Sequence, residues 1–205
     1  MALPDVLTSG LRVVIVGTAP AAPARGHYYA GRGNLFWQLL HEAGLTAELL
    51  TPEQDRLVVR YGLGLTDLHK SVEVLGRERT VHWHIREFTA KLRRYRPQAV
   101  AFVSATAAGA YARGAGLRGL RPGPWGSTPW PVAGLPGFVL PGPSGANNGM
   151  PLPLRIALWR DLADFLDTHG PPPPTVRPAP SGPRLRWCGR LPPWCDQPRL
   201  PSPLV

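Results

Sequence analysis

The sequence predicts an α/β fold in three layers, with a short central parallel sheet between helices. Two features of the chain predict it. Residues 11–16, apolar apart from Arg12 and mostly β-branched, and 99–103, apolar throughout, are strand-length runs with the pattern of strands buried on both faces. Segments with helical apolar spacing follow each run, so strands alternate with helices along the chain.

The first strand is expected over residues 12–16 and ends in Gly17-Thr18-Ala19-Pro20. A loop over 21–33 follows, carrying Arg25, His27, Tyr28, Tyr29 and Arg32 among small residues. Residues 34–43 read as a helix capped by Asn34 and closed by Gly44. Thr51-Pro52-Glu53 joins a cap, a proline at the first helical position and an acidic first turn, which starts a short helix ending before Gly62. Residues 61–68 bring a carboxylate, Asp67, after two glycines, and no strand is assigned there. Residues 84–95 are amphipathic, with Ile85, Phe88 and Leu92 on one face and Arg86, Arg93 and Arg94 on others. A second buried strand is expected over 99–103, an alanine-rich helix over 106–114, and short strands over 128–132 and 138–140. The last helix spans 152–169, its apolar positions filled by Leu154, Ile156, Leu158, Leu162, Phe165 and Leu166.

Residues 1–169 are read as one domain and 170–205 as a Pro/Arg-rich disordered tail. The run Gly170-Pro171-Pro172-Pro173-Pro174 fits neither helix nor sheet interior, and little aliphatic content follows it. The chain of 205 residues carries 23 Lys+Arg against 13 Asp+Glu, a net charge of +10. The tail has five arginines against Asp196, so it holds +4 of that charge and the body about +6. A basic body suits a polyanionic partner, most simply nucleic acid. Apolar runs are far shorter than the ~20 residues a membrane span requires. No signal peptide is expected from Met1-Ala2-Leu3-Pro4-Asp5. Cys188 and Cys195 both lie in the tail, so the body needs no disulfide and a reducing cytoplasm fits.

In a parallel sheet, the loops at 17–33 and 140–149 leave the same carboxyl edge and can face each other across one cleft, where open α/β sheets bind ligands. Three motifs in these loops resemble the mismatch-specific uracil/thymine DNA glycosylases of the uracil-DNA glycosylase superfamily. Gly17-Thr18-Ala19-Pro20 stands at that family's Gly-x-Asn-Pro motif. Ala30-Gly31-Arg32-Gly33-Asn34-Leu35-Phe36-Trp37 is similar to its Asn-Arg-Phe-Trp segment, and Leu140-Pro141-Gly142-Pro143-Ser144-Gly145 to its Leu-Pro-Asn-Pro-Ser-Gly motif. Order and spacing agree from Gly10 to about Leu166, leaving the tail outside.

The resemblance implies a uracil-DNA glycosylase-like fold. It also implies an enzyme that flips a base out of duplex DNA, at a cost smallest for a mispaired base, and hydrolyses its bond to deoxyribose. By position Tyr29 resembles the family's stacking aromatic, with Tyr28 adjacent as the fallback. Gly17, Thr18, Ala19, Ser144 and Gly145 fall in the motifs that hold the base, and Arg25 and His27 in the basic loop as DNA contacts, although His27 could touch phosphate or only pack. In the family the first-motif Asn positions the attacking water; here that position is Ala19, which has no polar side chain. Asp67 is the candidate replacement, as orienter or base for water and as an anion beside a cationic sugar. It could instead cap the turn after Thr66. Ala146 replaces the family's apolar wedge, and Asn147 and Asn148 after it could bond the widowed guanine or only build the turn.

His82-Trp83-His84 lacks a third ligand, and Cys188 and Cys195 lack further partners, so no metal and no organic cofactor is implied. No lysine lies in the motifs, so an abasic product without a covalent lysine intermediate is expected. The reading is a monomeric, cytoplasmic, nucleoid-associated glycosylase acting on double-stranded DNA with uracil mismatches. The alternatives are a non-catalytic binder of damaged or abasic DNA, and a glycosylase for another lesion such as hypoxanthine.

Overall fold

The computed structural model describes residues 3–19, 26–70, 84–117, 125–145 and 149–169. Its five strands are β1 (Val13–Gly17), β2 (Leu63–Asp67), β3 (Ala99–Phe102), β4 (Gly126–Ser127) and β5 (Gly137–Val139), in the order β2-β1-β3-β5-β4. The first three and β5 run parallel, while the short edge strand β4 is antiparallel to β5. The central sheet is therefore parallel, as the sequence predicts, with one short antiparallel strand at its edge.

Side-chain alternation along β1 divides the core between two layers. Val13 and Ile15 pack with α1 (Phe36–Glu42), the 3-10 helix Pro52–Tyr61 and α4 (Leu152–His169). Val14 and Val16 pack with α2 (Ile85–Tyr95) and α3 (Ala105–Gly114) on the other face. All four are buried, each contributing roughly 1.5–3 kcal/mol relative to exposure. Both faces of the sheet are thus covered, as its continuous apolar runs require.

Several boundaries differ from the sequence reading for visible reasons. Asn34 does not cap α1; its Oδ1 accepts from the Phe36 N–H at 3.0 Å, and the helix begins two residues later. Thr51 and Gln54 form a capping box, but the segment winds as a 3-10 helix that stops at Gly62, left-handed at φ 74°. The strand β2 is hidden in sequence because Gly62 just before it and Gly64 within it weaken its strand signal. Gly64 is needed there: a Cβ would lie 2.6 Å from Leu11 Cδ1 and 2.9 Å from Leu7 Cδ2. The N-terminal segment lies against that strand, with Val6 and Leu65 exchanging hydrogen bonds of 3.0 and 2.9 Å. The strand expected over 128–132 does not form: only a bridge between Val132 and Leu135 remains of it, since Pro129 and Pro131 remove ladder donors, and the edge strand β4 lies just before it.

Candidate active site

The carboxyl ends of β1 and β2 stand side by side, Gly17 opposite Asp67. The pairing continues past the strands, with Leu68 N–H donating to Gly17 O at 3.0 Å and His69 N–H to Thr18 O at 3.1 Å. The first-motif loop and the segment after Asp67 are thereby held in register. A Cβ on residue 17 would lie 2.2 Å from Asp67 Oδ1 and 3.3 Å from the Tyr29 hydroxyl, so only glycine admits this packing. The third-motif loop reaches the same edge. Leu35 N–H donates to Pro143 O at 2.9 Å, and Gly145 lies so close to Gly33 that a Cβ would be 2.5 Å from its carbonyl oxygen. Thr18 Oγ1 is 3.2 Å from Oγ of Ser104, the residue that caps α3.

Asp67 is 5% exposed. Its Oδ2 lies 3.3 Å from Lys70 Nζ. Burial pushes its carboxyl above the ordinary range, and the Lys70 ammonium opposes that rise. Lys70 also reaches Asp5 Oδ1 at 3.0 Å, Leu3 O at 3.0 Å and the Tyr28 hydroxyl. Asp5 in turn accepts from Thr66 Oγ1 at 2.6 Å and pairs with Lys91 Nζ at 2.6 Å. Burial works against the Asp5 carboxylate, but Lys91, Thr66 and Lys70 outweigh it and hold its pKa below the ordinary value.

Tyr29 has φ 55°, a left-handed backbone that turns its half-buried side chain onto Phe36. The two rings stack at 3.7 Å with a 14° tilt. The Tyr29 hydroxyl is buried and has no hydrogen-bond partner among the described residues. Tyr28 is buried, so the ring of Tyr29 is the more accessible of the pair. Burial first, and then the Asp67 charge, push both tyrosine hydroxyls up, so both stay neutral donors.

A family model for the uracil DNA glycosylase superfamily matches residues 4–163. The chain belongs to that superfamily. The superfamily match starts just before Asp5, takes in all five strands and ends within α4.

Within this superfamily member, the predicted residues Gly17, Thr18, Ala19, Tyr29 and Asp67 gather at one sheet edge with the loop bearing Ser144 and Gly145, both of which are exposed. Ala19 is half-buried and offers only backbone polar groups. His27 turns toward the 3-10 helix, its Nδ1 3.4 Å from Asp55 Oδ2. Arg25, Ala146, Asn147 and Asn148 lie outside the described residues, as do His82, both cysteines and the tail. No group of three or more His, Cys, Asp or Glu is placed to hold a metal ion among the described residues. No helix among them is long and apolar enough to cross a membrane.

Three residues escaped the sequence reading. Lys70 was missed because only Asp67 among its partners is near in sequence. Buried Asp55 accepts the Tyr28 N–H at 3.2 Å and so anchors the tyrosine loop. Buried Arg155 of α4 donates to Ser144 O at 3.5 Å and Met150 O at 3.3 Å, gripping the chain on either side of residues 146–148. An open groove lined by Leu92, Arg93, Arg96 and Leu135 lies at the opposite, amino edge of the sheet and takes no part in this site.

Proposed function

We propose that the protein is a monofunctional DNA glycosylase that flips uracil out of G·U mismatches and releases it by hydrolysis. One observation carries the reading: a buried carboxylate, Asp67, lies against the first-motif glycine, two residues before Ala19, whose own position has no side chain to direct water. Asp67 orients the water and takes its proton as the oxygen attacks C1′ of the deoxyribose. The bond from C1′ to the base nitrogen breaks, and its electron pair leaves with the base. The carboxylate also stabilises the cationic sugar, while backbone N–H groups near Thr18 and Tyr29 stabilise the anionic base. The flipped pyrimidine stacks on the ring of Tyr29, which Phe36 supports from behind. The basic body grips the phosphates of double-stranded DNA. The protein acts as a cytoplasmic monomer associated with the nucleoid.

Lys70 supports hydrolysis rather than lyase chemistry. A nucleophilic lysine must be neutral, but this ammonium faces two carboxylates, a carbonyl and a hydroxyl. Borohydride added during the reaction is therefore expected to trap no protein–DNA adduct.

Ala19 favours a second reading, a non-catalytic binder of damaged or abasic DNA. Heating a G·U duplex in alkali after incubation with the protein separates the two, since strands break only where base was removed. Scission at the uracil is expected. Intact strands with tight binding would establish the binder. Duplexes carrying hypoxanthine or ethenocytosine in the same assay rank uracil against other bases, and faster scission at either would reassign the substrate.

A further inference from the structure

We propose that Lys70 is a positioning residue of this site, bridging Asp67 and Asp5 so that Asp67 stands as a fixed carboxylate at the sheet edge. The inference rests on the reading of Asp67 given above and adds a residue to it. A carboxylate this buried would take up a proton unless a cation offset its desolvation. Lys70 is the cation that touches it, with its own side chain 18% exposed. The ammonium has three protons and four oxygen neighbours, so its position is fixed from several directions.

The arrangement follows from the backbone. The hydrogen bonds from Leu68 to Gly17 and from His69 to Thr18 keep the chain beside β1 past the end of β2. Lys70, coming next, returns its side chain to the acid three residues before it. The N-terminal segment, held to β2 through Val6 and Leu65, delivers Asp5 to the other side of the ammonium. Lys91 from α2 closes the row on Asp5. Charges thus alternate along a line, Lys91, Asp5, Lys70, Asp67, with the proposed catalytic acid at its end. Only one of its oxygens, Oδ2, bonds the ammonium; Oδ1 lies against Gly17.

Among the described residues, the titratable groups set around Asp67 are Lys70, Asp5 on the N-terminal segment, Lys91 on α2, and Tyr28 and Tyr29 on the loop after β1, with buried His69 two residues further along and ring to ring with His84. Gly17 of β1 contributes no side chain. Both tyrosines remain neutral over the working range, so the acid limb of the pH–rate profile reports the balance of Lys70, with Lys91 behind it, against Asp5. Lys70 favours the charged acid, whereas Asp5 opposes it.

The test is single-turnover uracil release from a G·U duplex by the full chain between about pH 5 and 9. Lys70→Gln is expected to move the acid limb to higher pH, with release down about tenfold near pH 6 and recovering near pH 9. Lys70→Arg keeps the charge and is expected to keep the limb. Asp5→Asn retains an acceptor for Thr66 and Lys70 but loses the repelling charge, so the limb is expected to move to lower pH. A rate loss in Lys70→Gln that is uniform across pH, or shifts of the same sign in the glutamine and Asp5→Asn variants, would overturn the proposal. Carbon-13 NMR titration of the Asp67 carboxyl with and without Lys70 reads the same displacement directly, without activity. If Asp67→Asn still releases uracil, the catalytic reading fails while the titration judges Lys70. If Asp67→Asn is inactive and the limb of Lys70→Gln stays put, only the Lys70 inference fails.

Discussion

At Asp67, the proposed catalytic use and stability pull in opposite directions. Its carboxyl is raised in the folded protein, chiefly by burial. Between its unfolded and folded pKa values the native state binds more protons than the unfolded one, so stability falls as pH rises through that window. Above the window the ionised acid is a standing cost to the fold. Asp67→Asn is therefore expected to raise Tm at neutral pH, and the gain should vanish once the wild-type acid is protonated in both states. Thermal melts at pH 3, 5 and 7 check this; a lower Tm at pH 7 would mean that the pairing with Lys70 outweighs desolvation. Asp5 has the opposite sign. Its lowered pKa stabilises the fold above the unfolded value, and that contribution is lost as pH falls. The position of Asp67 beside the first-motif loop was legible in sequence because it ends a segment that a motif resemblance placed near the site. Its surroundings were not legible. Asp5, Tyr28 and Lys91 reach the cluster from 62, 39 and 24 residues away respectively, and no local spacing encodes such a meeting.

At the level of elements, α4 does more than cover the sheet. Its fully buried Trp159 packs edge-on to Phe36 at 5.7 Å and donates Nε1–H to Pro141 O at 3.1 Å. One side chain thus joins the helix after the second motif to the loop of the third. Arg155, a turn earlier, holds the far end of that loop. Trp159→Phe keeps most of the apolar bulk but leaves the Pro141 carbonyl unpaired, at a cost of about 1–3 kcal/mol. Urea unfolding measures it, and an unchanged midpoint would show that the hydrogen bond contributes nothing. The apolar periodicity of 152–169 gave this helix its bounds, Leu152–His169, without error. The element the sequence concealed was β2, where Gly64 makes room for Leu7 and Leu11 and so dilutes the strand signal. Pro129 and Pro131 misled in the other direction, lying within a run that reads as a strand but cannot sustain a ladder.

Across the whole molecule, the parallel register of β1 and β2 is what converts two separated segments into one site. Gly17 and Asp67 are 50 residues apart in sequence and adjacent in the sheet. The three-layer fold was legible because strands buried on both faces must be apolar throughout. The meeting of the loops was legible because parallel strands release them at a common edge. What remained hidden was the charge row behind the acid, which depends on an N-terminal segment with no motif of its own. In the proposed function the basic body brings DNA to this edge, and the work left to the site is to direct one water. The most direct measurement is single-turnover uracil release by Asp67→Asn from a G·U duplex at saturating enzyme. We expect release to fall by at least about a hundredfold while duplex affinity is retained. Release at the wild-type rate would contradict the role of Asp67 and with it the account of this site.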